Sequence, residues 1–176
     1  MAKLDRNKLM YFAGFLQAGT SKTAPGDVDW EVLGRDNDDL SKALNPDTET
    51  SKNVLGEATF KHNGYEPEVS VDPYYADDAS PLYPKLSVAA IQEKYGDADI
   101  KGYFVEVNFT TAGTGTMSGT GYMREAYIVP QSTGGDTSGM GLPFSVHPVG
   151  PQTTVTVTYT LATREVTIAL PTPPSP

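Results

Sequence analysis

The chain has 176 residues, 38% of them hydrophobic, with 17 glycines and 14 prolines, which suits many strands and turns better than a helical bundle. Its 13 basic and 22 acidic residues give a net charge of −9, and no run of Lys or Arg occurs, so a protein that grips nucleic acid by its phosphates is not expected. Cysteine is absent, which excludes disulfides and thiolate metal sites.

The N-terminus MAKLDRNKLMYFAGF places Asp5, Arg6, Asn7 and Lys8 where a secretion signal would need its apolar core. No stretch approaches the ~18 apolar residues of a membrane helix. The expectation is a soluble protein made inside the cell, with no membrane partner. Residues 28–33 alternate, with Val28, Trp30 and Val32 on one side, the pattern of a half-buried strand. Residues 34–52 are polar, and Asn45-Pro46 breaks any helix there. A loop this long is usually functional or disordered.

Residues 53–60 and 65–72 read as a hairpin around Asn63-Gly64. In its second strand Tyr65, Pro67, Val69 and Val71 share one face. The helix signal lies at residues 81–95. Ser80 is placed to cap it, Pro81 suits its first position and Gly96 its end. Its apolar residues form two groups: Leu82, Tyr83, Leu86, Ala89 and Ala90, and, roughly opposite, Val88, Ile91 and Tyr95. A surface helix needs only one apolar stripe, so the second group has two destinations, another loop of the same chain or another subunit.

Residues 100–111 predict a strand with Tyr103, Val105, Val107 and Phe109 on one face. The glycine-rich 112–121 and 132–142 read as flexible loops, with strand resuming at 122–130 and 143–149. Residues 153–161 alternate cleanly, with Val155, Val157, Tyr159 and Leu161 against threonines. After a tight turn, 165–170 turns Val166, Ile168 and Leu170 inward. The expected architecture is a mainly β sandwich or barrel-like domain over 1–170 with one flanking α-helix. The Pro-rich tail 171–176 is expected to be disordered.

No chemistry stands out. His62 and His147 are far apart, without zinc spacing. The run 36–47 lacks the sixth-position glycine and twelfth-position glutamate of a calcium loop, having Ser41 and Asp47 there. The glycines at 113, 115, 119 and 121 are not followed by Gly-Lys-Ser/Thr, so they make no phosphate loop. Asp77-Asp78 is the kind of pair a glycosidase uses, but adjacent acids in a loop are usually just solvated. No catalytic residue, metal or cofactor is therefore expected. Glu57, Glu66, Glu68 and Glu106 fall on strands that could pair. They read as the wet face of an antiparallel sheet or, more sharply, as a channel wall whose negative charge keeps DNA from sticking.

Several segments resemble, in order, the major tail tube protein of long-tailed phages and prophages. They are the Trp30 strand with LGRDNDDLSKALNPDTET, then KNVLGE, GYEPEVSVDPYYAD, the helix, and EAYIVPQSTGGDTSG with the closing strands. The resemblance spans about residues 28–160. It implies hexameric rings that stack into a tube, sheets from six subunits closing one β-barrel around a lumen through which DNA passes. The implied partners are the chain itself, a tail-tip initiator, a tape measure and a terminator, in a virion assembled in the host cytoplasm. It further implies that the N-terminal arm and the loop 34–52 order only on stacking, with Leu40, Leu44, Val54 and Leu55 as apolar anchors and Val88, Ile91 and Tyr95 as further contacts. Two rival readings are the tube of a contractile injection or secretion system and a carbohydrate-binding sandwich using Tyr74, Tyr75 and Tyr83.

Overall fold

The computed structural model describes residues 3–110 and 115–172. A 3-10 turn at Arg6–Lys8 leads into β1 (Leu9–Leu16), β2 (Val28–Val32), β3 (Lys42–Ala43), β4 (Pro46–Lys52), β5 (Ala58–Tyr65) and β6 (Glu68–Val71). Two helices follow, α1 (Tyr83–Ile91) and the single turn α2 (Asp97–Ile100). The chain ends with β7 (Lys101–Asn108), β8 (Thr116–Pro130), β9 (Gly134–Asp136), β10 (Gly139–Gly141), β11 (Phe144–Thr160) and β12 (Glu165–Ala169). The fold is mainly β, built on one antiparallel sheet in the order β2-β1-β7-β8-β11-β6-β3, with β12 also pairing β11.

Two apolar clusters explain the sheet. On one face Tyr11, Ala13, Phe15, Phe104, Ile128, Phe144 and Val146 pack with Leu86 of α1 and with Leu82 just before it. On the other face Phe12, Trp30, Val105, Val107, Val155, Val157, Tyr159 and Ile168 form a second core. Burying each large side chain contributes about 1.5–3 kcal/mol. The strand β12 comes round to meet β2, so the sheet curls about this second cluster. The interior strand β1 contributes to both clusters, and its LMYFAGFL is therefore an almost unbroken apolar run. With both faces buried, its sequence shows no strand-like alternation. From Leu9 onward the N-terminus is no free arm.

The pattern at 28–33 holds: Val28, Trp30 and Val32 all face the second cluster. So does the run Tyr103, Val105, Val107 and Phe109, with Tyr103 partly buried. The expected hairpin is displaced. The ribbon pairs 46–52 with 58–65, and β6 leaves it to pair with β11 and β3. The turn is Asn53–Glu57, where the Asn53 carboxamide oxygen accepts from the N–H groups of Leu55 and Glu57 at 2.9 and 3.0 Å. An Asn side chain mimics a backbone turn in this way. Asn63-Gly64 lies inside β5, near a register break opposite Asp47 and Thr48. The predicted loop 34–52 therefore contains two strands, β3 and β4.

The helix is shorter than expected and is not capped by Ser80, whose hydroxyl is turned inward instead. Glu93, not Gly96, takes the left-handed conformation after it, at φ 51°, and Gly96 precedes α2. Residues 116–121 are strand, not a flexible tip. A Cβ on Gly121 would meet Val157 at 2.8 Å and Val105 at 3.0 Å, and one on Gly119 would meet Phe109 at 3.0 Å. These glycines are demanded by packing, not by freedom. Residues 111–114 and 173–176, within the predicted tip and tail, lie outside the described residues. The segment 132–142 holds the small ribbon β9–β10, and 143–161 is largely one strand, β11, with an irregularity between Val149 and Thr153. Leu161 and Leu170 are exposed, not inward, at 38% and 56%.

Candidate functional site

The ribbon β4–β5 projects from the sheet. Every residue of β4 is exposed, and so is every residue of β5 except half-buried Gly64. Its base is clasped: Glu66 N–H donates to the carbonyls of Leu44 and Asn45, and the Asn45 carboxamide donates to the Glu66 carbonyl at 3.0 Å. Its tip is bare. Val54 is fully exposed and Leu55 is 80% exposed, with Phe60 open on one strand. Of the four expected contact residues here, Leu44, Val54 and Leu55 are exposed, whereas Leu40 is buried in the first core and is not available to a partner.

The two apolar groups of α1 separate as the helical wheel indicates. Leu82, Leu86 and Ala89 are buried, and Tyr83 and Ala90 pack partly against the core. Val88 and Ile91 remain exposed on the opposite side, and Tyr95, beyond the end of the helix, is exposed as well.

The four candidate lumen acids do not share one surface. Glu57 sits at the arm tip, bound by the Asn53 carboxamide at 2.5 Å. Glu66 is at the arm base. Glu106 lies on the face of the first cluster and is ion-paired with Lys42. Glu68 lies on the opposite, open face, 3.9 Å from His147. That open face, across β7, β8, β11 and β6, carries Lys101, Glu125, Tyr127, His147 and Glu68, with Lys101 and Glu125 3.1 Å apart.

A buried polar cluster escaped the sequence reading. Glu31 is only 8% exposed, on the face of β2 away from Trp30. Its carboxylate accepts from the Tyr74 hydroxyl at 3.1 and 3.2 Å, the Ser80 hydroxyl at 3.3 Å and the Leu82 N–H at 3.2 Å. It thus ties β2 to the entry of α1. Burial pushes its carboxyl above the ordinary value, against the opposing pull of its donors and of Arg35. Tyr74 is raised as well, first by burial and then by the Glu31 charge. Tyr74 is thus a core residue, and Tyr75 and Tyr83 are half-buried, so the three make no exposed sugar platform. The only sequence signal for this cluster is an acid inside an apolar alternation.

At the seam between the start of β1, the loop after β2 and the β11–β12 turn lies a cavity of about 290 Å³. Three of the four arginines, Arg6, Arg35 and Arg164, line it. Arg35 is neutralised by Asp77 at 2.8 Å and Asp36 at 4.0 Å. Among the described residues Arg6 donates to the backbone carbonyls of Leu9 and Leu40, and its guanidinium lies over the Tyr11 ring. Arg164 has no hydrogen-bond or ion-pair partner among the described residues. Asn37 is also among the lining residues, although both polar atoms of its carboxamide are closed to solvent and have no hydrogen-bond partner among the described residues.

No helix among the described residues is long and apolar enough to cross a membrane. No protein-family model and no curated protein matches the chain.

Proposed function

We propose that the protein is a structural subunit that polymerises as stacked hexameric rings, forming a phage-type tail tube through which DNA passes. The observation that carries this reading is the arm β4–β5. A two-stranded ribbon has little stability of its own and normally needs a third strand or a packing partner. Here it is fastened at its base and ends in exposed Val54 and Leu55. An exposed apolar tip of this kind is what an assembly contact would cover. The second exposed set, Val88 and Ile91 on α1 with Tyr95 just beyond its end, supports a further subunit contact. The open face of the sheet, polar and half-exposed, is the surface best suited to line a channel. The tape measure, initiator and terminator named by the resemblance would be the other tail partners, and the particle the place of action.

Electron microscopy of the purified full chain at high concentration, with mass measured in parallel, tests the reading. Rings or tubes with a central channel are expected. A chain that stays monomeric at every concentration, and also with tail-tip components added, would refute it.

A further inference from the structure

We propose that Asn63 is a site of self-modification. Its carboxamide condenses with the backbone nitrogen of Gly64, with His62 as the base, and the succinimide so formed opens to aspartate and isoaspartate. The reaction needs no second copy of the chain, so it stands apart from the assembly reading.

Three observations meet at this pair. Of the six asparagines in the chain, only Asn63 precedes a glycine. Asparagine is a thermally labile residue, and a glycine after it has no side chain to hinder attack by its nitrogen. The ladder of the arm breaks at the same place. His62 pairs with Thr48 and Gly64 with Asp47, which leaves Asn63 as the extra residue of a bulge. Asn63 is exposed, and its carboxamide has no hydrogen-bond partner among the described residues. Gly64 stands at φ 141°, and a Cβ placed on it would meet nothing within 4 Å, so a five-membered imide has room to close. The third observation is the base. The Gly64 N–H, the group that must lose its proton, donates to His62 Nδ1 at 3.1 Å, the reach required of a general base. An Nδ1 that accepts carries no proton, so the neutral ring holds its hydrogen on Nε2. The ring sits edge-on to Tyr65, with centroids 4.6 Å apart.

The steps balance without any outside reagent but water. His62 takes the amide proton as the Gly64 nitrogen bonds to the side-chain carbonyl carbon of Asn63. The tetrahedral adduct expels the side-chain nitrogen, which leaves as ammonia with the proton returned from His62. Water then adds to one of the two imide carbonyls. Breaking the newly made C–N bond gives aspartate. Breaking the original peptide C–N bond gives isoaspartate, with the side-chain methylene now in the main chain. Either product adds a negative charge to a ribbon where Asp47 stands opposite Gly64, and like charges across a strand pair repel. Isoaspartate also lengthens β5 by one main-chain atom, close to the clasp that Glu66 makes with Leu44 and Asn45. The angle of the arm to the sheet therefore changes as the protein ages.

The test incubates the full-length chain at mildly alkaline pH, folded and in denaturant, and follows Asn63 by peptide mass and by enzymatic methylation of isoaspartate. Exchange of ammonia for water is expected at Asn63 in the folded chain, at least as fast as in denaturant, with the other five asparagines intact. His62→Phe, at an exposed position, is expected to slow the folded reaction on the order of tenfold or more and to leave the rate in denaturant unchanged. His62→Gln repeats the comparison with a smaller side chain, and thermal melts establish that each variant folds. Slower reaction in the folded chain than in denaturant would show that the fold protects the pair, and would overturn the site. Folded variants that react as fast as the unaltered chain would overturn His62 as the base.

Discussion

At the scale of single residues, Glu31 is the position with the sharpest consequences. Glu31→Ala would leave the Leu82 N–H and the Tyr74 hydroxyl without their acceptor, at a cost of about 1–3 kcal/mol for each group. A loss of this size in denaturant unfolding is expected. The pH dependence has a definite sign. The folded carboxyl lies above its ordinary value of 4.5, so the folded state holds the proton more tightly than the unfolded chain. The stabilisation from this group is complete below 4.5 and is lost as pH rises through the folded value. Glu31→Gln is therefore expected to remove that part of the pH dependence, which unfolding curves of the two proteins across this range would show. Identical curves would mean that the carboxyl does not titrate differently on folding. Gly121 offers a steric test: Gly121→Ala forces a Cβ to 2.8 Å from Val157, and overpacking of this kind costs about 1–3 kcal/mol. An unchanged melting temperature would show that the second core can yield there.

At the scale of elements, legibility followed burial. Strands with one buried face announced themselves by alternation, as at Val28–Val32 and Thr153–Thr160. β1 did not, because both its faces are buried and the alternation disappears. The arm did not either, for the opposite reason: exposed on both faces, β4 has no apolar side to alternate with. Its polar PDTETSK looks like loop, and Asn63-Gly64 drew the turn to the wrong place. Among the candidate acids, Glu66 and Glu68 share a strand parity, while Glu57 and Glu106 join them only on the expectation that their strands pair nearby. Parity does not reveal which strands become neighbours, and β6 pairs with β11 while β7 lies two strands further along. Glu31 was unreadable for the same kind of reason, since its partners at 74, 80 and 82 come from a later part of the chain. The exposed stripe of α1 was legible because helical periodicity alone separates it from Leu82, Leu86 and Ala89.

At the scale of the whole molecule, the open sheet face sets an electrostatic expectation. If it lines a channel, its acids keep passing DNA from adhering. The double variant Glu68→Lys with Glu125→Lys is expected to assemble normally, since both groups are exposed or half-exposed and the Lys101–Glu125 pair is worth at most about 1 kcal/mol. Assembled particles of the variant should retain DNA at low salt and release it as salt rises. Retention no different from the unaltered protein would place this face away from the DNA path.

The two longest strands, β8 and β11, run side by side from the β8 end Pro130 to its start at Thr116, and β11 changes its other neighbour from β6 to β12 on the way. Pulling the two strands apart along their length would load this ladder of hydrogen bonds in shear, many at once, instead of unzipping them singly. The β6 and β12 pairings at either end are short and would yield first. Tension on the molecule should therefore peel its margins while the long central pair holds, which gives the curled sheet a mechanically strong spine with compliant edges.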